Sequence, residues 1–242
     1  MADEPEIIGE VTESSTTEFV SESRELHSPP SFGSFVKVHL SAVESTSMPA
    51  SPRADEDEDP FLRTAGSFSA GFRSAVNDEP VDTAASGLSP ATYAVVYQAT
   101  TAPVDTGRRL RAYWKDEEQL KEEQPELSEW MLVTNFRAII IGYCLNGCMC
   151  QYLPPQPPKL LTPVRQCAPD EIIAITSRMD FLRTLANFRN TPSEEVVAAC
   201  IREANAARGG DFDFLVAAGK ELASLLKDDY DRLQAIMRRV AP

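Results

Sequence analysis

Five cysteines carry the most conspicuous potential chemistry in this 242-residue chain, because Cys144, Cys148 and Cys150 crowd together and Cys167 offers a fourth thiol for a tetrahedral zinc site. The local turn argues against that site. Asn146-Gly147 is a strong two-residue hairpin signal, since a type I′ turn needs positive φ at both central positions. Such a turn pairs Leu145 with Cys148, Cys144 with Met149 and Tyr143 with Cys150. Directly opposite residues share a face, so Cys148 and Cys150 lie with Leu145, Tyr143 and Ile141 while Cys144 points the other way. The spacing is not a C-x₂-C pair either. The cysteines therefore read as structural core thiols, and no metal or cofactor is assigned.

Acid–base and nucleophilic chemistry find little footing. The two histidines, His27 in a Pro/Ser turn and His39 at the end of a strand, stand apart from any recognisable nucleophile motif. Gly219-Lys220 is followed by Glu221 and lies in an amphipathic stretch, which excludes a Walker A phosphate loop. No catalytic residue is nominated, and the chain reads as a non-enzyme. One basic cluster stands out: Arg108, Arg109, Arg111 and Lys115 with Tyr113 and Trp114 between them. It suits nucleic-acid phosphates or a partner's carboxylates; the alternative is internal pairing with Asp116, Glu117 and Glu118.

These residues must be held by elements whose pattern changes along the chain. Ile7–Thr12, continuing through Phe19 and Val20, is rich in β-branched residues, and Ser34–Leu40 alternates apolar with polar side chains. Thr92–Gln98, Met131–Leu145 and Cys148–Leu153 read as further strands, and 116–123 as a short helix ending near Pro125. After Cys167 the period changes from about 2 to about 3.6. The pattern predicts a first helix from Pro169 with Ile172, Ile175, Met179, Leu182 and Ala186 inward. A second opens on the capping box Thr191-Pro-Ser-Glu194 and ends at Gly209-Gly210. A long third helix follows Asp211. The expected fold class is α+β, an N-terminal small antiparallel β-barrel over 1–160 followed by a helical domain over 161–242 with about three helices.

The net charge of −14 is unevenly placed: residues 1–40 carry −6, 41–90 carry −6 and 91–242 only −2. Residues 41–90, with the run Asp55-Glu-Asp-Glu-Asp59, hold too little apolar surface to order themselves and read as a disordered acidic insertion. Phe61, Leu62, Phe68 and Phe72 follow that run and are a candidate partner contact, or rest loosely on the domain. The acidic balance argues against a general nucleic-acid binder or a protein lying on an anionic membrane. With no signal-peptide pattern, no apolar run of membrane-spanning length and an odd number of cysteines, the expected setting is the cytoplasm.

Taken together, Ile8-Gly-Glu-Val-Thr-Glu-Ser-Ser-Thr-Thr-Glu-Phe19, Phe32-Gly-Ser-Phe-Val-Lys-Val38 and Tyr93-Ala-Val-Val-Tyr97 resemble the HAS barrel. This is the small barrel of HerA-type DNA-translocating ATPases and of the ATP synthase catalytic ring. The family's motor is replaced here by the helical region, so none of its catalytic residues carries over. The chain looks most like the stand-alone HAS-barrel proteins of bacteria. The resemblance implies an adaptor or assembly module. Its barrel would oligomerise or dock, and its helical tail would bind a protein partner such as a motor ATPase or nuclease. The alternative is a nucleic-acid-associated accessory factor using the Arg108–Lys115 cluster.

Overall fold

The computed structural model describes residues 6–40, 89–105, 107, 110–145 and 147–240. The acidic insertion, with Phe61, Leu62, Phe68 and Phe72, lies outside the described residues, as do Arg108 and Arg109.

Among the described residues seven strands form: β1 (Ile7–Ser14), β2 (Glu18–Ser23), β3 (Phe35–His39), β4 (Ala91–Pro103), β5 (Leu132–Leu145), β6 (Cys148–Cys150) and β7 (Pro163–Gln166). Six of them close on themselves in the order β1-β2-β5-β4-β3-β7, every neighbour antiparallel, and β6 is a flap on β5. The β-branched run at residues 7–20 is thus a hairpin of two strands. β7 pairs with both β1 and β3, so the closing strand of the barrel lies past residue 160.

Period-2 patterning sorts the side chains between two cores. Val36, Val38, Ala94, Val96, Phe136 and Ile140 fill the barrel interior. Phe35, Tyr93, Val95 and Ile139 point outward beneath the helices. A β-bulge, where Tyr93 faces Gly142 but Ala94 faces Ile140, inserts an extra residue in β5 and shifts this alternation. Ile141 consequently shares the helix-facing core with Cys144 rather than the face of Tyr143, which corrects the expected placement.

Where the periodicity predicts three helices, the described residues form five after the barrel: α2 (Pro169–Ile175), α3 (Asp180–Ala186), α4 (Ser193–Ala207), α5 (Phe212–Leu225) and α6 (Tyr230–Val240). The expected first helix is divided by Gln151, which follows β6. Its amide donates to the carbonyls of Ile175 and, at 2.9 Å, Arg178, and its Oε1 accepts from Phe181 N–H at 3.1 Å. These are the backbone groups that helix ends leave unpaired. The expected third helix breaks at Asp228-Asp229, where Asp229 Oδ1 accepts from Arg232 N–H at 3.2 Å and caps α6. The Thr191–Glu194 capping box does not form, since Pro192 occupies the N-cap. Arg232 instead engages Glu194 Oε1 at 2.7 Å and Ser193 Oγ at 2.5 Å. α3 packs on β5 and α2 on β6, while α4, α5 and α6 pack chiefly on helices, so that Ile175, Leu182, Val197, Ile201 and Leu222 join the outward-facing barrel residues in one core. None of the described helices is long and apolar enough to cross a membrane.

Candidate functional site

β4 and β5 continue beyond the buried part of the barrel. From Gln98 to Thr101 the side chains of β4 are exposed, yet its pairing with β5 runs on to Pro103 and Leu132. The connection that follows contains α1 (Glu117–Glu123) and a π-helical turn (Leu127–Met131), and it is closed at its base by Val104 N–H on the Met131 carbonyl at 2.9 Å. Leu127 is its buried anchor. Of the basic cluster, Arg111 and Lys115 are described and lie in this projection.

Trp114 is 93% exposed and has φ +57°, a left-handed conformation costly for a bulky residue. Trp130, at the other end of the connection, is 62% exposed. Arg111, Tyr113 and Lys115 flank Trp114 and are exposed as well. Lys115 does not pair with Asp116: it reaches forward to Glu123 at the end of α1. Asp116 instead caps α1, accepting from Gln119 N–H at 2.8 Å. The structure therefore exposes Arg111 and Lys115 together with two tryptophans, of which Trp130 went unread in the sequence. Its signal was an aromatic amid the acidic and polar residues of Leu127-Ser-Glu-Trp130.

A second constellation is buried. Lys37 Nζ meets Glu171 Oε1 at 2.5 Å, and Glu171 Oε2 accepts from Ala168 N–H at 2.8 Å. Tyr93, cross-strand partner of Lys37, is fully buried, and its hydroxyl has no hydrogen-bond partner among the described residues. Burial, reinforced by the Glu171 charge and the neighbouring Cys167 and Cys144, pushes the Tyr93 hydroxyl far above the usual range. Burial likewise raises the thiols of Cys144, Cys167 and Cys200, which keeps them protonated and poorly nucleophilic. The arrangement is suited to fastening α2 to the barrel. Sequence reading passed over Lys37, although a lysine inside Phe35-Val-Lys-Val38 is the one charged residue of an apolar strand.

Two surface hollows accompany these features. A crevice of about 360 Å³ lies between β5 and α3, lined by Ile139, Leu153 and Phe188 with Arg183 and Asn187. A hollow of about 550 Å³ runs between the end of β1, at Thr12, Glu13 and Ser14, and Gln156 to Leu160. Neither lining contains a histidine or cysteine. Among the described residues no group of three or more His, Cys, Asp or Glu side chains could hold a metal. The cysteines are all unpaired: Cys144, Cys167 and Cys200 are buried, Cys150 is half-buried and Cys148 is exposed. No protein-family model matches the chain, and no curated protein matches it.

Proposed function

We propose that the chain is a non-catalytic assembly module, which docks a protein partner through the connection between β4 and β5. The observation that carries this reading is Trp114: an almost fully exposed indole, held in a strained conformation on a connection anchored at its base. Tryptophan is enriched among the residues that dominate binding energy at interfaces. Arg111 beside it favours an acidic group on the partner, while Lys115 would have to exchange its pairing with Glu123 to join it. The apolar stripe of the helices is covered within one core shared with the barrel, which supports docking through the barrel's projection ahead of docking through a free helical tail.

A HAS-barrel kinship, with a motor ATPase or nuclease as partner in the cytoplasm, belongs to the same proposal. It is supported by the resembling segments being the barrel strands β1, β2, β3 and β4, and by the five unpaired cysteines. The test compares the full chain with Trp114→Ala/Trp130→Ala by light scattering after gel filtration and by pull-down from the native host. Loss of a specific partner or of an oligomer in the double variant, at unchanged thermal stability, is the expected result. A wild-type chain that is strictly monomeric, and retrieves nothing the variant does not, removes the reading.

Trp114 between basic residues also suits a second reading, a nucleic-acid accessory factor in which the indole stacks on a base while Arg111, and Lys115 on exchange of its Glu123 pairing, meet phosphates. Filter binding with single-stranded DNA and RNA decides it, since absence of binding at low salt discards the idea.

A further inference from the structure

We infer that Cys148 and Cys150 form a two-coordinate site for a soft monovalent cation of the Cu(I) class. The inference rests on the flap β6. Its residues pair with β5 as Leu145 with Cys148, Cys144 with Met149 and Tyr143 with Cys150. Met149 packs into the helix-facing core beside buried Cys144, so by strand alternation Cys148 and Cys150 both leave from the opposite face. Cys148 is exposed there and Cys150 half-buried, which leaves the pair open to solvent.

The spacing selects what the pair can do. Residues i and i+2 of a strand lie roughly 6.7 Å apart at their Cα atoms. A disulfide prefers about 5.5–6 Å and a sulfur separation near 2 Å, so this pair sits at the far edge of what a disulfide tolerates. A linear sulfur–metal–sulfur unit spans two metal–sulfur bonds and so needs a sulfur separation well beyond that of a disulfide, which rotation about the two χ1 angles supplies. Zinc requires four ligands, and no third His, Cys, Asp or Glu joins the pair among the described residues. Thiolates of low coordination number favour a soft cation instead.

The surroundings fit a bound thiolate. The Tyr152 side chain lies beside the Cys150 thiol and Tyr143, and the two tyrosine rings meet edge to face with centroids 5.5 Å apart. A phenol so placed donates to Cys150 once that sulfur is charged, the kind of outer contact that orients a ligand. The backbone of Cys150 lies so close to Gly142 that a side chain there would collide with the Cys150 carbonyl, which fixes the flap against β5. On binding, each thiol releases its proton to solvent as its sulfur–metal bond forms; no electron moves.

The experiment offers Cu(I), held by the chelator bathocuproine disulfonate, to the reduced full-length protein. The wild type is expected to withdraw one equivalent, with two sulfur ligands by X-ray absorption. Cys148→Ser and Cys150→Ser should each lose it while keeping the wild-type circular dichroism. Alkylation of Cys148 in the folded wild type should have the same effect without any mutation. Tyr152→Phe should weaken binding roughly tenfold or more. A wild-type protein that leaves the copper on the chelator, or a Cys148→Ser protein that holds it equally well, overturns the assignment.

Discussion

Lys37 Nζ and Glu171 Oε1 lie 2.5 Å apart, with side chains 8% and 9% exposed, joining the third strand of the barrel to the first turn of α2. Removing one partner of a buried pair leaves the other charged in a medium that solvates it poorly. Glu171→Gln should therefore lower stability by about 3–5 kcal/mol, whereas replacing both, as Lys37→Met/Glu171→Leu, should recover most of the loss. Urea denaturation of the two variants measures this. A silent single substitution would show that the pair contributes nothing to the fold.

Gly33 has φ +86° and lies against α4, where a β-carbon would overlap the side chain of Ala199. Gly33→Ala should cost at least about 1–3 kcal/mol from backbone strain alone. Adding Ala199→Gly removes the overlap but not the strain, so only partial recovery of the melting temperature is expected.

Arg232 ties α6 to the start of α4, donating to Glu194 Oε1, Ser193 Oγ and the Ala186 carbonyl, the last at 2.5 Å. Arg232→Met should destabilise by roughly 2 kcal/mol, the scale of charge-assisted hydrogen bonds. Hydrogen exchange should speed up first in α6, and uniform exchange across all helices would argue that α6 does not open independently.

Tyr97 is buried and donates to Glu18 Oε2 at 2.5 Å. Desolvation, then the bond to Glu18, pushes its hydroxyl up to about 12 from an ordinary value near 10. A raised folded-state value means that the neutral phenol supports the fold. Its contribution is complete below pH 10 and disappears as pH rises toward 12, and Tyr93 acts in the same direction. Urea midpoints taken from pH 9 to 12 should fall, and fall less steeply for Tyr97→Phe.

Trp114 is strained and exposed, so its removal should not cost stability. Trp114→Gly relieves the left-handed conformation and should leave the melting temperature unchanged or slightly raised, while abolishing partner capture. A marked drop in melting temperature would mean that the indole supports the connection instead of presenting it.

Local signals were read well where neighbouring residues decide the outcome. Asn146-Gly147 set the pairing of Tyr143 with Cys150 and of Leu145 with Cys148, because a two-residue turn permits one register. The periodicity change after Cys167 marked the helices for the same reason. What escaped was decided at a distance. The gap between α2 and α3 depends on the Gln151 amide, and the use of Ser193 and Glu194 at the start of α4 depends on Arg232, each remote in sequence from the helix it meets. β7 has a single buried apolar side chain, Val164, and is a strand because β1 and β3 offer free edges on both sides. In the candidate site, the Arg111 to Lys115 stretch was visible as composition, but the Lys115–Glu123 pair, which occupies one of its cations, and the exposure of Trp130 follow from the fold of the connection.

The placement of β7 between β1 and β3 also dictates a timetable. A ribosome delivers β1 first, yet the strand that seals its outer edge emerges only after every other barrel strand has been made. Until then β1 and β3 present unsatisfied backbone groups to any passing chain. Contacts this distant in sequence slow the final closure, so the nascent protein passes through an open-sheet stage in which two exposed edges are its most aggregation-prone feature.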